Sequence, residues 1–244
     1  MQSRYLLLKE KMKKGIITMS VLAIIACTIT AYCWAAGNES VSESTNVAQS
    51  LSGQQVKSTS QNAKGKALVV YFSVPETDGV DASSGASRLV SNGKVMGNTQ
   101  YIASVISEAT GSDLFEIKTV HTYPGSHKAL IDAAKVEIDN NARPKLATHI
   151  KNLNDYDVVF IGFPNWWYDM PMPLYSFFDE YDFSDKTVIP FCTHGGSRFS
   201  DAIKTIRELE PKASVLDGYA VPRDHVSEAK PNVLNWLKRI GMAE

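Results

Sequence analysis

Three short stretches of the chain hold residue types suited to binding chemistry. They are Tyr71-Phe72-Ser73 with the later Gly97-Asn98-Thr99, then GFPNWWYDMP at 162–171, then CTHGGS at 192–197. In the first, the hydroxyls of Ser73 and Thr99 and the amide of Asn98 stand beside an expected helix start, where Gly97 lets a ligand approach the backbone. Free N–H groups and the helix dipole at such a start hold a phosphate without a cation. Plain capping by Asn98 or Thr99 is the competing reading. In the second, prolines stiffen a loop carrying Pro164, Asn165, Trp166 and Trp167. Adjacent tryptophans point apart, so one packs inward and the other stands at a crevice, ready to stack on a flat ligand. In the third, Thr193, His194, Gly195 and Gly196 form a turn whose backbone N–H groups suit the carbonyl edge of a polar ring. A satisfied loop histidine is an equal reading of His194. Cys192 reads as a small core hydrophobe. Phosphate, flat face and polar edge together describe a mononucleotide with a heteroaromatic ring. No metal-ligand spacing and no nucleophile–base set stands out.

The elements that must position these stretches alternate. Apolar runs at 67–72, 113–120, 156–164, 186–194 and 214–221 predict strands, and helical spacing predicts helices at 98–111, 126–141, 172–181, 200–210 and 228–241. Strict alternation with nearly continuous apolar strands predicts an α/β fold, a parallel sheet covered by helices on both faces. Ligands of such sheets bind beyond the carboxyl ends of the strands, so the tips after the first, third and fourth strands should converge.

Those motifs also carry a family resemblance, spanning about Lys66 to Met242. The chain resembles flavodoxin-like proteins through Tyr71–Ser73 with Gly97–Thr99, Tyr156–Trp167 with Met170-Pro171, and Pro190–Ser197. The resemblance implies a three-layer α/β/α sandwich, a five-stranded parallel sheet in order 2-1-3-4-5 and bound flavin mononucleotide (FMN). It implies that Ser73, Asn98 and Thr99 hold the phosphate, that Pro164 to Trp167 border the isoalloxazine, and that Thr193 to Gly196 meet the ring's polar edge. One departure stands out: residues 78–96 interrupt the usually compact phosphate loop, which removes Thr77 as a clear ligand. That insertion is either a lid or a surface loop. Its segment 81–87, DASSGAS, is similar to the signature at which exported flavoproteins receive covalent flavin, with Ser87 as the acceptor. An FMN redox protein is implied, either a one-electron carrier or an oxidoreductase of the NAD(P)H or quinone type, with Asp169 as a nearby acid lowering the flavin's potential. A non-catalytic flavin-binding module is the alternative.

Residues 1–36 place a basic stretch ahead of an uncharged apolar run, the pattern of an export signal. Cleavage near Ala35 or Ala36, lipid attachment at Cys27 and retention as an anchor are its three outcomes, in that order of preference. Each places the rest outside the cytoplasm. Residues 37–65 are rich in Ser, Gln and Asn and read as a disordered spacer, leaving 66–244 as the domain. Residues 1–36 contain five basic residues and one acid, so removing them takes the formal charge from −1 to −5 and leaves Cys192 as the single cysteine. No basic stripe with aromatics appears, which argues against nucleic acid. A redox partner or small-molecule acceptor is expected instead.

Overall fold

The computed structural model describes residues 65–77, 88–91 and 93–244. The leader, nearly all of the spacer, Ser87 and most of the insertion lie outside the described residues. The strands are β1 (Ala67–Tyr71), β2 (Leu89–Ser91), β3 (Lys94–Met96), β4 (Asp113–Glu116), β5 (Val158–Pro164), β6 (Thr187–His194), β7 (Ser214–Val215) and β8 (Tyr219–Pro222). The helices are α1 (Asn98–Thr110), α2 (His127–Asp139), α3 (Met172–Glu180), α4 (Ala202–Leu209) and α5 (Lys230–Arg239). The main sheet runs β4-β1-β5-β6-β7, with β8 also on β6, and every pairing in it is parallel. Counting β7 and β8 as one interrupted fifth position, this is the expected 2-1-3-4-5 order.

Alternation along the strands sorts the core into two layers. Leu68, Val70, Val159, Ile161 and Phe163 pack with Leu130, Leu174, Phe177 and Ile206 from α2, α3 and α4. Val69, Tyr71, Phe160 and Phe191 pack on the other face with Ile102, Ile106, Val233 and Trp236 from α1 and α5. Both faces are therefore covered, which is why all seven residues of β5 are buried. Among the described residues, no helix is long and apolar enough to cross a membrane.

Three differences from the sequence reading have physical causes. The second strand ends at Glu116 rather than 120, because the chain beyond it bonds to another partner. Ala147 N–H donates to the Lys118 carbonyl at 2.7 Å and Val120 N–H to the Lys145 carbonyl at 2.8 Å. The fifth strand breaks in two opposite Pro190. Leu216 N–H donates to the Val188 carbonyl, so Pro190, two residues on, turns the same edge toward this strand and has no N–H to offer. Gly218 fills the break at φ +73°, where an added Cβ would lie 2.1 Å from the Pro190 carbonyl oxygen. Finally, the described part of the insertion is an antiparallel hairpin, β2 with β3, rather than loop alone. Its Leu89 packs on the α1–α5 side, while Val90 and Val95 face solvent.

Gly218→Ala tests the account of the break. It puts a side chain into both a left-handed backbone position and a carbonyl contact, so we expect a loss of about 2–4 kcal/mol in urea unfolding. An unchanged midpoint would mean that the break does not depend on Gly218.

Candidate functional site

Register brings the strand tips together. β5 pairs with β6 from Val158↔Thr187 to Pro164↔Thr193, so the tryptophan loop and the Thr-His-Gly-Gly turn leave the sheet side by side. β1 lies on the other side of β5, with Tyr71 opposite Gly162. A cleft of about 530 Å³ opens at this rim, a size in the usual range for a cofactor site. Of the residues singled out in the sequence, Asn98, Pro164, Asn165, Trp166, Trp167, Thr193, His194, Gly195 and Gly196 line it. Ser73, Gly97 and Thr99 are buried at the ends of β1 and the start of α1 and do not line its wall. Thr99 Oγ1 lies 2.8 Å from Thr193 Oγ1, a buried strut between the start of α1 and the tip of β6. Ser73 is 9% exposed, and its Oγ has no hydrogen-bond partner in the structure.

The tryptophan loop is a tight hairpin. Trp166 N–H donates to the Asp169 carbonyl at 2.9 Å and Asp169 N–H returns to the Trp166 carbonyl at 3.1 Å. Trp167 and Tyr168 sit between them at φ +52° and +68°. Two positive-φ central residues define a type I′ turn, which ordinarily takes Asn-Gly. Bulky residues there cost about 1–3 kcal/mol each, so the surroundings must hold the turn. The indole of Trp166 meets the rings of Phe72 and Tyr123 edge-on, at 5.5 and 5.6 Å. Trp167 is 44% exposed, and its Nε1–H donates to the Ile131 carbonyl of α2 at 3.2 Å. Thus Trp166 leans inward and Trp167 stands at the lip.

Asp169 does not line the cleft, contrary to the expectation that its charge bears on the ring. Its carboxylate accepts from Met170 N–H at 2.8 Å and the Tyr175 hydroxyl at 2.6 Å, which anchors the turn on α3. Burial raises its carboxyl above the usual range despite those bonds. Asn165 braces the rim as well: its N–H donates to the Thr193 carbonyl at 2.8 Å, and its Nδ2 to the Arg198 carbonyl at 2.7 Å.

In the third tip, Gly196 N–H donates to His194 Nδ1 at 2.9 Å. That N–H is therefore engaged within the turn, and the neutral ring of His194 carries its proton on Nε2. Burial, then the Arg198 charge, push the His194 imidazole below its usual range, against a smaller upward pull from Asp224. Cys192 is buried as a free thiol, and burial pushes its ionisation far upward, so it is no nucleophile.

Sequence reading missed Glu76, His127, Leu130, Ile131, Ala134 and Arg223, which also line the cleft, as do Tyr168 and Ser197 from the second and third stretches. One signal was available for Arg223: it follows β8, whose tip obeys the same strand-end rule as the other three. Its Nη1 lies beside Gly195, 2.8 Å from where a Cβ there would stand. Nothing in the local pattern marks Glu76 or the α2 face.

A three-layer parallel sandwich with a cleft at the tips of β1, β5 and β6 is the architecture of mononucleotide-binding α/β proteins. The family profile described as Flavodoxin matches residues 87–240, and the chain belongs to that family. It is similar to a candidate flavoprotein from Bacteroides uniformis, at 28% identity over 71% of this chain and 98% of that one, with a TM-score of 0.56. A second, from Bacteroides eggerthii, is 25% identical over 72% of this chain and 98% of that one, with a TM-score of 0.55. A search of curated proteins finds no match.

The burial of His194 makes a pH prediction. Because the folded pKa of His194 is depressed, the unfolded chain takes up the proton first on acidification. Stability is therefore full above about pH 6.5 and falls as pH drops from there through the folded value. Thermal unfolding of His194→Asn should show a smaller loss between pH 8 and pH 5 than the wild type. Equal losses would show that this ring does not govern the window.

Proposed function

We propose that the protein is an FMN-binding redox protein acting on the outer side of a membrane. The carrying observation is the convergence of three strand tips on one cleft bordered by Trp166 and Trp167, with the orphaned hydroxyl of Ser73 buried at the end of β1. An unpartnered buried hydroxyl is costly unless a ligand completes it. Ser73 and the start of α1 would hold the phosphate, and the absence of acidic residues from the first turn of α1 leaves its dipole free to act. The two indoles would border the ring and exclude water. Thr193, Gly195 and the fixed Nε2–H of His194 would meet its polar edge. When bound, FMN supplies one- and two-electron transfer, and the protein's part is orientation and charge. The relatives described as flavoproteins are consistent with a flavin. The basic-then-apolar segment 1–36 supports export, by cleavage, lipid attachment at Cys27 or a tether.

Titration of FMN into the flavin-free protein, followed by flavin fluorescence, tests this. Quenching at micromolar protein is expected, with weaker binding of riboflavin, which lacks the phosphate. Ser73→Ala should weaken FMN by about three- to tenfold while leaving riboflavin unaffected. Trp166→Ala should weaken both by about tenfold or more. Unquenched FMN at that concentration would sink the proposal.

A further inference from the structure

Behind the cleft wall, three rings and a carboxylate form a continuous path. Trp166 lines the cleft, and its indole meets the ring of Tyr123 edge-on at 5.6 Å. Phe72 closes the triangle, 5.5 Å from Trp166 and 5.6 Å from Tyr123. Tyr123 is 8% exposed and does not itself line the cleft. Its hydroxyl donates to the Glu137 carboxylate of α2, 2.8 Å from Oε2 and 3.0 Å from Oε1. The Glu137 side chain is 15% exposed, and Nε2 of the exposed His121 lies 3.2 Å from its Oε1.

Hydrogen bonding alone does not call for this arrangement. A buried tyrosine hydroxyl is satisfied by a backbone carbonyl or a water, and neither carries the desolvation cost of a charge. A carboxylate differs from those partners in being a base. Burial, then the Glu137 carboxylate, push the Tyr123 hydroxyl far above its usual ionisation range, so the phenol keeps its proton at rest. Loss of an electron reverses that. An oxidised phenol is a very strong acid, and a carboxylate already at hydrogen-bond distance takes its proton as the electron leaves. Without such a base the oxidised ring would hold a positive charge in the core, which apolar surroundings oppose. The edge contact with Trp166 supplies the electron's route to the cleft.

We propose that Tyr123 is a redox-active residue that draws a one-electron oxidising equivalent away from the cleft, with Trp166 as the relay and Glu137 as the proton acceptor. The oxidant is a small one-electron-oxidising radical that reaches the cleft wall, so the inference stands apart from the FMN reading. Trp166 gives one electron to the oxidant and becomes an indole radical cation. Tyr123 returns an electron to Trp166 as its O–H bond breaks and the proton passes to a Glu137 oxygen. The products are the reduced oxidant, intact Trp166, a neutral Tyr123 phenoxyl radical and protonated Glu137, which yields its proton to water.

The test generates azidyl radicals by pulse radiolysis in the flavin-free full chain, at doses well below one oxidation per molecule, and follows indolyl and phenoxyl absorbance. Every sample carries Tyr219→Phe, because Tyr219 stacks on Trp236 at 5.1 Å and would add a second transfer of the same kind. A fast phase is expected in which phenoxyl grows as indolyl decays. Tyr123→Phe, which keeps the ring contacts, should remove that phase, and Trp166→Phe should remove it too. Glu137→Gln should slow it by about ten- to a hundredfold, because the amide still accepts the hydrogen bond but is a far weaker base. After prolonged exposure, peptide mass spectrometry should find severalfold more kynurenine at residue 166 in Tyr123→Phe than in its parent. A fast phase that survives Tyr123→Phe or Trp166→Phe, a rate unchanged by Glu137→Gln, or equal kynurenine in the two proteins would each overturn the inference. Should Trp166→Phe fail to fold, Tyr123→Phe and Glu137→Gln decide the matter alone.

Discussion

The ladder between β5 and β6 is the constraint on which the rest depends. β5 is buried on both faces, so a slip by one residue would exchange its two sets of side chains between the core layers. Gly162 pins the register further. A Cβ there would stand 2.1 Å from the ring of Phe191, so the aromatic ring fits only against this glycine. With Gly162 fixed opposite Phe191, Pro164 falls opposite Thr193. The tryptophan turn and the Thr-His-Gly-Gly turn then have no choice but to emerge together. Thr99 extends the same constraint to α1, because its hydroxyl meets Thr193 from the other side of the rim.

The rim itself is less relaxed than the sheet beneath it. Trp167 and Tyr168 adopt positive φ in succession, and Arg198 and Ser200 do so in the loop after β6. Such positions persist only where neighbours over-determine them. Here the neighbours can be named. Asp169 ties the hairpin to α3, Trp167 Nε1 ties it to α2, and Asp201 N–H ties it to α4 by donating to the Tyr168 carbonyl at 3.3 Å. Asn165 then joins the hairpin to the Arg198 loop. Each bond contributes about 0.5–1.5 kcal/mol, so several together offset the strain of two residues. A relaxed Asn-Gly turn would need fewer supports but would present no aromatic surface at the lip.

The sheet was legible because its signal is periodic. β1, β5 and β6 are apolar runs with turn residues at their ends, and parallel order follows from the helices between them. The break opposite Pro190 is of a different kind. Proline and Gly218 are both visible in the sequence, but that they oppose each other depends on a pairing no local window contains. The cleft divides in the same way. Residues at the tips after the first, third and fourth strands could be named because strand ends obey a topological rule. Glu76 and His127 could not, since they are 51 positions apart and meet only when the segment after β1 folds onto the start of α2. The wall from α2 escaped for a related reason: Leu130 and Ala134 look like any core face of an amphipathic helix, and Ile131 lines the cleft beside them.

Charge in the cleft is arranged residue by residue, and the overall balance of the chain does not reveal it. Asp169, the acid nearest the tryptophans in sequence, turns its carboxylate away into bonds with Tyr175 and Met170. Among the described residues, Glu76, unremarked in the sequence, is the carboxylate that reaches the cleft, and it arrives with an imidazole at its side. Arg223 brings a guanidinium to Gly195. An anion in a half-buried site is favoured by a fixed cation and by N–H donors, and disfavoured by an unpaired carboxylate. Pairing Glu76 with His127 therefore lets a buried acid stand at the cleft wall, because hydrogen bonding by the imidazole offsets part of the desolvation that a bare carboxylate would suffer.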